Sequence, residues 1–222
     1  MARVYTLSGR KKSFLGSMSV TMYLVLINVL CFIVFGILIS TNVVSLDFIA
    51  LKPANIFQGQ YIWTFLTSMF MHGGFFHIFA NMITLIFLGS FVERIIGKKR
   101  FFWFYMIAGL FAGLFFVLLS LIFKGDMSAY AVGASGAIFG VAGLMVVLTP
   151  NVPLYVMFIP IPIKAKYAIP GLLIILWLIS VTAGVAIGNT AHLGGLLIGL
   201  AYGIYLRNKY KRKTRYISRM FS

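Results

Sequence analysis

Acidic side chains are nearly missing from this sequence, which has three Asp or Glu residues among 222 and 19 Lys or Arg, giving a formal net charge of +16. Charged residues of both signs make up only 10% of the chain, whereas hydrophobic residues make up 61%. Soluble domains carry about 25% charged residues, so this composition excludes a soluble globular domain and indicates a membrane protein. Cysteine is scarce as well: Cys31, within an apolar run, is the only one, which excludes an internal disulfide.

Long apolar runs dominate the chain, whereas the short alternating segments of a membrane β-barrel are absent. Because backbone polar groups find no water inside a bilayer, such runs must form helices. We therefore predict an all-α polytopic membrane protein with six transmembrane helices in residues 20–206, between basic tails at residues 1–19 and 207–222. The first run lacks a small-residue cleavage site, so we expect it to be a retained span. The six predicted spans cover about residues 20–39, 76–96, 101–123, 136–149, 168–187 and 191–206.

The connection between spans one and two, residues 40–75, is long and apolar. It carries Trp63 and several Tyr and Phe rings, which favour the boundary between membrane and water. We therefore expect this loop to pack on or in the bilayer interface.

The basic residues lie in short connections beside the apolar runs, where positive charge marks the cytoplasmic side. With a cytoplasmic N-terminus, 17 of the 19 basic residues fall inside, and only Lys52 and Lys124 fall outside. Both termini are then cytoplasmic, and spans two, four and six begin at the outer face. Membrane topology explains the charge, so we expect the lipid bilayer and no nucleic acid as a partner. No transit peptide is recognisable and the six-span form is compact, so we expect a prokaryotic plasma membrane.

This topology brings the rare polar residues of the spans to one depth. Ser135 lies at the outer start of span four, His192 at that of span six, and His72, His77 and Asn81 at that of span two. Each has a structural explanation when taken alone, because a serine can bond its own helix, a histidine can pack and an asparagine can link helices. Polar groups inside a membrane are costly, however, so their convergence from three helices predicts a functional site.

Ser135 and His192 are the candidate nucleophile and general base. Ser135 stands between Gly133 and Gly136 at a helix N-terminus, where close backbone approach and unpaired N–H groups favour developing negative charge. Small residues recur every four positions on spans four and six and permit close helix contact. His192 is therefore expected to reach Ser135. These small residues are Gly136 and Gly140 on span four, and Ala191, Gly195, Gly199 and Gly203 on span six.

No carboxylate is available to complete a catalytic triad. Asp47 and Asp126 lie in loops, and Glu93 lies about 18 Å from the polar cluster, towards the cytoplasmic end of span two. We therefore predict a Ser-His dyad. Phe139, one helical turn after the serine, is the expected stacking partner for the imidazole of His192.

His77 and Asn81 are four residues apart and can point hydrogen-bond donors at one oxygen. With the backbone N–H of Ser135 they are predicted to form an oxyanion hole, in which one donor contributes roughly 2.7 to 4 kcal/mol. A metal site is the alternative for three clustered histidines, but the HExxH pattern is absent and no carboxylate ligand is near. We therefore expect no metal and no cofactor.

Three motifs resemble those of the rhomboid intramembrane serine proteases and follow the family's order along the chain. The resemblance covers almost the whole span region. Residues 133–136 (Gly-Ala-Ser-Gly) are similar to the GxSG nucleophile motif, residues 191–195 (Ala-His-Leu-Gly-Gly) to the AHxxG motif, and residues 77–81 (His-Ile-Phe-Ala-Asn) to the HxxxN motif. The chain departs from the family at Trp63-Thr64, where many members carry Trp-Arg. This departure leaves the catalytic expectations intact but puts in question the polar bonds that usually brace the first outer loop.

The resemblance implies a six-helix fold with a water-accessible cavity and cleavage of membrane-anchored substrates. It implies a dyad of Ser135 and His192, oxyanion roles for His77 and Asn81, and a structural role for Glu93. Gly133, Gly136 and Phe139 then support the dyad.

The depth of the site follows from the length of span four, whose 14 or so residues extend about 21 Å against a bilayer core of about 30 Å. Ser135 then lies several ångströms below the outer surface, in a wet cavity bounded by spans two, four, five and six. A substrate helix must unwind to expose its scissile bond. We expect span five, with Gly171 and Gly184, or the loop with Gly188, to move and admit it.

The predicted function is therefore an intramembrane serine endopeptidase that cleaves transmembrane-anchored proteins through an acyl-enzyme. One alternative is a catalytically inactive relative that binds membrane clients, but such proteins typically lose the serine or the histidine, and both are present here. Another is a small transporter or channel, against which the spans offer no acidic ion ligand and the polar groups cluster at one face instead of lining a path.

Overall fold

The structure, a computed structural model, describes residues 18–156, 160–183 and 188–221. Most of the predicted N-terminal tail and the end of predicted span five, including Gly184, lie outside this part of the chain. The described chain is mostly helical. Its helices are α1 Val20–Ser40, α2 Leu46–Ile49, α3 Pro53–Phe57, α4 Thr64–Thr67, α5 Phe75–Ile96, α6 Lys98–Leu119, α7 Ser135–Leu148, α8 Ala165–Ala183, α9 Asn189–Lys209 and α10 Lys211–Arg219.

Four of these helices, α1, α5, α6 and α8, are long and apolar enough to cross a bilayer. They correspond to predicted spans one, two, three and five, so the all-α membrane architecture is confirmed. Spans four and six correspond to α7, which is apolar but has only 14 residues, and to α9, whose 21 residues include polar first and last turns. The predicted number of six crossings therefore stays a prediction.

The boundaries of α6 differ from the prediction by several residues. Gly97 has a φ of 84° and separates α5 from α6. Because α6 starts directly after this glycine, the basic residues 98–100 form its first turn instead of a loop. The helix then ends at Leu119, and a short 3₁₀ helix at Lys124–Ser128 follows. Basic side chains in a first turn extend to the bilayer boundary at little cost in free energy, so the helix begins before its apolar run does. Hydropathy alone therefore predicts too late a start.

Two segments predicted as loop or tail have regular structure. Pro153–Leu154 and Ile163–Lys164 form a two-stranded antiparallel pairing in the Pro-rich stretch between spans four and five. Residues 211–219 of the predicted C-terminal tail form α10, which buries Thr214. A short basic helix gives no apolar run, so a search for spans passes over it.

The centre of the bundle is α7. Every residue from Gly136 to Met145 is buried, and the helix is apolar on all sides, as expected for one surrounded by other helices. It packs most extensively against α9 and α6.

Small residues set the close approach of α7 and α9. A Cβ at Gly195 would overlap the carbonyl oxygen of Gly136, and a Cβ at Gly199 would overlap that of Gly140. Four residues further along α9 the contact lies four residues further along α7, so the two helices run in the same direction. Their first turns, which carry the predicted serine and histidine, consequently lie at the same end of the bundle.

The loop between α1 and α5 contains the short helices α2, α3 and α4 and is bonded to the segment that leads into α7. Leu51 and Ala131 form an antiparallel bridge, with a distance of 2.8 Å from the Ala131 nitrogen to the Leu51 oxygen. The indole Nε1 of Trp63 donates to the Phe48 carbonyl at 2.9 Å. Thr64 is buried, and its hydroxyl donates to the Tyr61 carbonyl at 2.7 Å, so the residue at the family's arginine position bonds only locally.

The carboxylate of Asp47 braces this loop. The Oδ1 atom of Asp47 accepts hydrogen bonds from Asn55 Nδ2 and from the Tyr130 hydroxyl, both at 2.8 Å. The ammonium of Lys52 lies 3.6 Å from the same oxygen and 4.9 Å from the centre of the Tyr130 ring. These contacts tie the loop to the residues just before the serine motif.

Candidate active site

Ser135 and His192 meet at the start of their helices. Ser135 is the first residue of α7, and His192 is the fourth of α9. The serine Oγ lies 2.7 Å from Nε2 of the imidazole, which is hydrogen-bond distance. The predicted contact is thus present, whereas the catalytic roles stay predictions.

Phe139 packs against the imidazole ring of His192. Its ring stacks on that of His192, with the ring centres 4.6 Å apart and the planes 22° from parallel. Stacking of this kind restricts rotation of the imidazole. The predicted stacking contact is thus present, whereas the role of Phe139 in supporting the dyad stays a prediction.

No carboxylate is bonded to this pair within the described residues. Nδ1 of His192 is buried and has no hydrogen-bond partner there. Asp126 accepts a hydrogen bond from the Thr190 hydroxyl at 3.0 Å, two residues from the histidine. Glu93 bonds the start of α1, with 2.8 Å between its Oε2 and the backbone nitrogen of Thr21. The geometry agrees with a dyad and not with a Ser-His-carboxylate triad.

His77 faces the serine motif from α5. Its Nδ1 accepts a hydrogen bond from the backbone N–H of Gly73 at 3.3 Å. A neutral imidazole that accepts at Nδ1 carries its proton at Nε2. A Cβ added at Gly133 would lie 2.8 Å from this Nε2, so the ring presents a donor to the backbone in front of Ser135.

Asn81 lies one turn further along α5 and is buried. Its Nδ2 donates to the carbonyl of His77 at 2.9 Å, which uses one of the two amide hydrogens. The same nitrogen would be 3.8 Å from a Cβ at Gly133. The sequence prediction was that Asn81 points a donor at the same oxygen as His77. The structure leaves one N–H for that purpose and uses the other to fix the amide.

His72 is the third histidine at this end of the bundle. It precedes α5, is only 4% exposed, and meets the ring of His77 edge to face with 5.1 Å between centres. Burial lowers the pKa of His72 to about 4, with a further lowering by His77. The ring is therefore neutral at pH 7, which suits packing beside a second imidazole.

Backbone contacts of the site were beyond sequence reasoning. The N–H of Gly133 donates to the Ser68 carbonyl at 2.8 Å, which holds the serine motif to the loop between α1 and α5. Gly73, which fixes the tautomer of His77, acts through its N–H as well. Every residue except proline has such groups, so no residue type signals their use.

Comparison with known proteins agrees with these motifs. The sequence profile of the Rhomboid domain family matches residues 59–209. RHOMBOID-like protein 1 of Arabidopsis thaliana is 35% identical over 159 residues, which are 69% of this chain and 37% of that protein. Rhomboid protein 1, mitochondrial, of Saccharomyces cerevisiae is 29% identical over 153 residues, which are 67% of this chain and 43% of that protein.

A further relative is named as inactive. Inactive RHOMBOID-like protein 8 of Arabidopsis thaliana is 31% identical over 143 residues, which are 63% of this chain and 37% of that protein. The chain spans less than half the length of each of these three relatives. Its profile match nevertheless covers more than half of the chain and includes the serine, histidine and asparagine motifs. By that match, the chain belongs to the rhomboid family.

Proposed function

We propose that this protein is an intramembrane serine endopeptidase in which Ser135 is the nucleophile and His192 the general base. The observation that carries the proposal is the 2.7 Å contact between Ser135 Oγ and His192 Nε2. Rhomboid proteins are typically intramembrane proteases, and this member retains both residues. A serine hydroxyl is a weak nucleophile until a base in contact accepts its proton.

The reaction then proceeds through an acyl-enzyme. Nε2 of His192 takes the hydroxyl proton as Ser135 Oγ forms a bond to the scissile carbonyl carbon, and the carbonyl π electrons move to the oxygen. When this tetrahedral species collapses, the C–N bond breaks and His192 gives the proton to the leaving amine. Water repeats the sequence on the ester, giving the carboxylic product and free Ser135.

Three donors are proposed to hold the developing oxyanion. They are the Nε2–H of His77, the second amide hydrogen of Asn81 and the backbone N–H of Ser135, which as a first-turn group has no intrahelical partner. The positions of His77 Nε2 and Asn81 Nδ2 around Gly133 support this assignment. Both side chains are fixed, His77 by the Gly73 N–H and Asn81 by the His77 carbonyl, so little reorganisation is needed during the reaction.

We propose six crossings, with α7 and α9 as the fourth and sixth, both termini cytoplasmic and the active site towards the extracytoplasmic face. At 1.5 Å per residue α7 is about 21 Å long, so the serine at its start lies below the membrane surface in a hydrated cavity. The parallel packing of α7 and α9 supports a shared outer end. This arrangement also leaves Lys52 and Lys124 as the outer basic residues.

Substrates are proposed to be transmembrane-anchored proteins that enter between helices. The support comes from α8, whose buried residues Ala165, Ala168 and Ile169 all lie in its first two turns. The rest of α8 has no buried residue among those described, so it can move away from the bundle at low cost. A crosslink from the later turns of α8 to α5 is expected to block cleavage of a membrane substrate.

The membrane itself is not assigned by the family. Two similar proteins carry the word mitochondrial in their names, RHOMBOID-like protein 6 of Arabidopsis thaliana and Rhomboid protein 1 of Saccharomyces cerevisiae. The prokaryotic plasma membrane therefore stays a prediction.

A catalytically inactive client-binding protein is the second candidate, because one relative is named as inactive. The two functions differ in the chemistry of Ser135. A fluorophosphonate is expected to label the wild type and not Ser135→Ala if the protein is an enzyme, because only an activated serine attacks the phosphorus centre.

The decisive test is cleavage of a model single-span substrate by the purified protein, with the fragments identified by mass spectrometry. Wild type is expected to cut the substrate at a defined bond, and Ser135→Ala and His192→Ala to lose about 10³-fold or more in kcat. Cleavage that survives in Ser135→Ala would overturn the proposal.

A further inference from the structure

Two buried polar atoms at the start of α9 have no hydrogen-bond partner among the described residues. They are Nδ1 of His192 and Oδ1 of Asn189. Buried polar groups are nearly always bonded, and leaving one unpaired costs about 1 to 3 kcal/mol. When Nε2 of His192 accepts the hydroxyl proton of Ser135, Nδ1 must carry a hydrogen. One orphaned atom is thus a donor and the other is an acceptor.

The geometry of the helix puts these two side chains on one face. Residues three apart on an α-helix are neighbours, with Cβ atoms about 5 to 6 Å apart. Helical side chains also lean towards the N-terminus, so the imidazole of His192 lies over the turn that contains Asn189. A contact between Oδ1 and Nδ1 then requires rotation of the Asn189 amide about its side-chain bonds, because neither atom has a partner among the described residues.

We propose that Asn189 is a positioning residue for the catalytic base. Its Oδ1 accepts the Nδ1–H of His192, directly or through one buried water, and so fixes the tautomer in which Nε2 is the base. The proton stays on Nδ1 throughout, and stacking on Phe139 sets the plane of the ring while Asn189 sets its rotation within that plane. This inference rests on the proposed protease function.

Other polar and titratable groups on neighbouring elements have hydrogen-bond partners other than Nδ1 of His192 among the described residues. His77, on α5, has its Nδ1 bonded to the Gly73 N–H. Asp126, in the loop after α6, is bonded to the Thr190 hydroxyl. Ser135 approaches from α7 and contacts the opposite nitrogen, Nε2. Within the described part of the chain, Oδ1 of Asn189 is the buried acceptor without a partner on the same helix turn as His192.

The test is the pH dependence of kcat and KM for cleavage of a single-span substrate by the full-length protein. Asn189→Ala is expected to lower kcat about tenfold or more with KM within about twofold of wild type, because orientation of the base is used in the chemical step. Asn189→Asp is expected to raise the apparent pKa of the acidic limb of kcat/KM by about one unit or more. A carboxylate next to the imidazole stabilises its protonated form.

A merely structural residue at a helix start gives a different result. Aspartate suits the first turn as well as asparagine does, so a capping role predicts wild-type stability and a wild-type kcat for Asn189→Asp, and lost stability with a wild-type kcat of the folded enzyme for Asn189→Ala. Thr190→Val is the matched control, because it removes the neighbouring bond to Asp126 without reaching Nδ1. Its acidic limb is expected to match that of wild type.

An acidic limb in Asn189→Asp that coincides with wild type, an equal shift in Thr190→Val, or a wild-type kcat in Asn189→Ala would overturn the proposal. The pH dependence of fluorophosphonate labelling at Ser135 is a second measurement, and it detects only folded enzyme, because only an activated serine is labelled. If wild type shows neither cleavage nor Ser135-dependent labelling, the proposed protease function fails instead, so the two failures are distinguishable.

Discussion

Gly133 combines two demands on one residue. Its φ of 117° lies in a region that residues with a side chain rarely adopt. A Cβ here would also lie 2.8 Å from His77 Nε2, in the space proposed for the substrate oxyanion. The first glycine of the serine motif is therefore required for backbone shape and for access to the donors.

Gly133→Ala is expected to lower kcat/KM about 100-fold or more, the loss associated with one oxyanion donor, because the methyl group displaces His77 or the substrate oxygen. Activity against the single-span substrate and thermal unfolding of the same preparation measure it. Gly74→Ala is the control, since a Cβ there meets no atom within 4 Å, and it should retain activity within about twofold. Equal activity of the two variants would contradict this role of Gly133.

At the residue scale, the sequence predicted site residues that act through polar side chains. It did not predict the residues that act through their backbone groups. Ser135 and His192 were predicted because polar side chains are rare in the spans and these converge at one face, and Phe139 because it lies one turn after Ser135. Asn189 was not among the predicted site residues, because an asparagine in the first turn of a helix is common and carries no catalytic signal in the sequence. The inferred positioning role of Asn189 comes from the structure, in which Nδ1 of His192 is buried without a partner among the described residues.

At the scale of elements, Glu93 joins α5 to the start of α1. Its two carboxylate oxygens accept from the backbone nitrogens of Val20 and Thr21 at 3.0 and 2.8 Å and from the Thr21 hydroxyl at 2.7 Å. Glu93 is only 5% exposed. A carboxylate at a helix N-terminus satisfies orphaned N–H groups and complements the helix dipole. The resemblance implied a structural role for Glu93, but the sequence alone does not identify α1 as its partner.

Glu93→Ala is expected to lower the free energy of unfolding by about 2 to 4 kcal/mol, since three donors lose a charged acceptor. Glu93→Gln should lose less, because its amide oxygen still accepts. Thermal unfolding in detergent measures both. Ser19→Ala is the control: it removes the single cap to the Met22 nitrogen at 3.1 Å and should cost about 1 kcal/mol or less. A loss in Glu93→Ala no larger than in Ser19→Ala would contradict the bridging role.

The loop between α1 and α5 has its own carboxylate, and its contribution depends on pH. Hydrogen bonds from Asn55 and then Tyr130 hold the pKa of Asp47 below its ordinary value of 3.8. A lowered pKa stabilises the fold above the ordinary value, and the stabilisation disappears as pH falls through the lowered one. The stability difference between wild type and Asp47→Asn is therefore expected to be constant from about pH 5 to 8 and to shrink below about pH 4.

Tyr130→Phe separates the hydroxyl from the ring that lies under Lys52. Loss of its one hydrogen bond is expected to lower the unfolding temperature by about 1 to 4 °C at pH 7. Tyr155→Phe, at a tyrosine 74% exposed, should leave it unchanged. An equal effect of the two variants would show that the Tyr130 hydroxyl does not brace the loop.

The helices themselves follow from apolar runs, whereas their ends do not. α1 matches its predicted bounds within one residue, because Ser19 caps it where the apolar run begins. α8 starts three residues before its predicted start, since Ala165 is fully buried and its N–H donates to the Val152 carbonyl at 2.9 Å. Tertiary contact decides such ends, and a single sequence does not state it.

At the scale of the whole molecule, charge distribution and helix length give different counts of crossings. Length and hydropathy support four spans, α1, α5, α6 and α8. A four-span arrangement puts Lys164 and Lys166 outside, together with Lys52 and Lys124, which the positive-inside rule disfavours. Six crossings move Lys164 and Lys166 to the cytoplasm. The short α7 is able to cross because other helices surround it, so lipid thickness does not set its length.

The two arrangements differ at Lys164, which is exposed in the connection between α7 and α8. In a Cys31→Ser background, Lys164→Cys is expected to resist a membrane-impermeant maleimide in sealed right-side-out vesicles and to react once the membrane is permeabilised. Lys124→Cys, in the exposed turn after α6, should react in both conditions and is the matched control. If Lys164→Cys reacts in sealed vesicles as fast as Lys124→Cys, α7 does not cross, and Ser135 loses the membrane depth on which intramembrane cleavage depends.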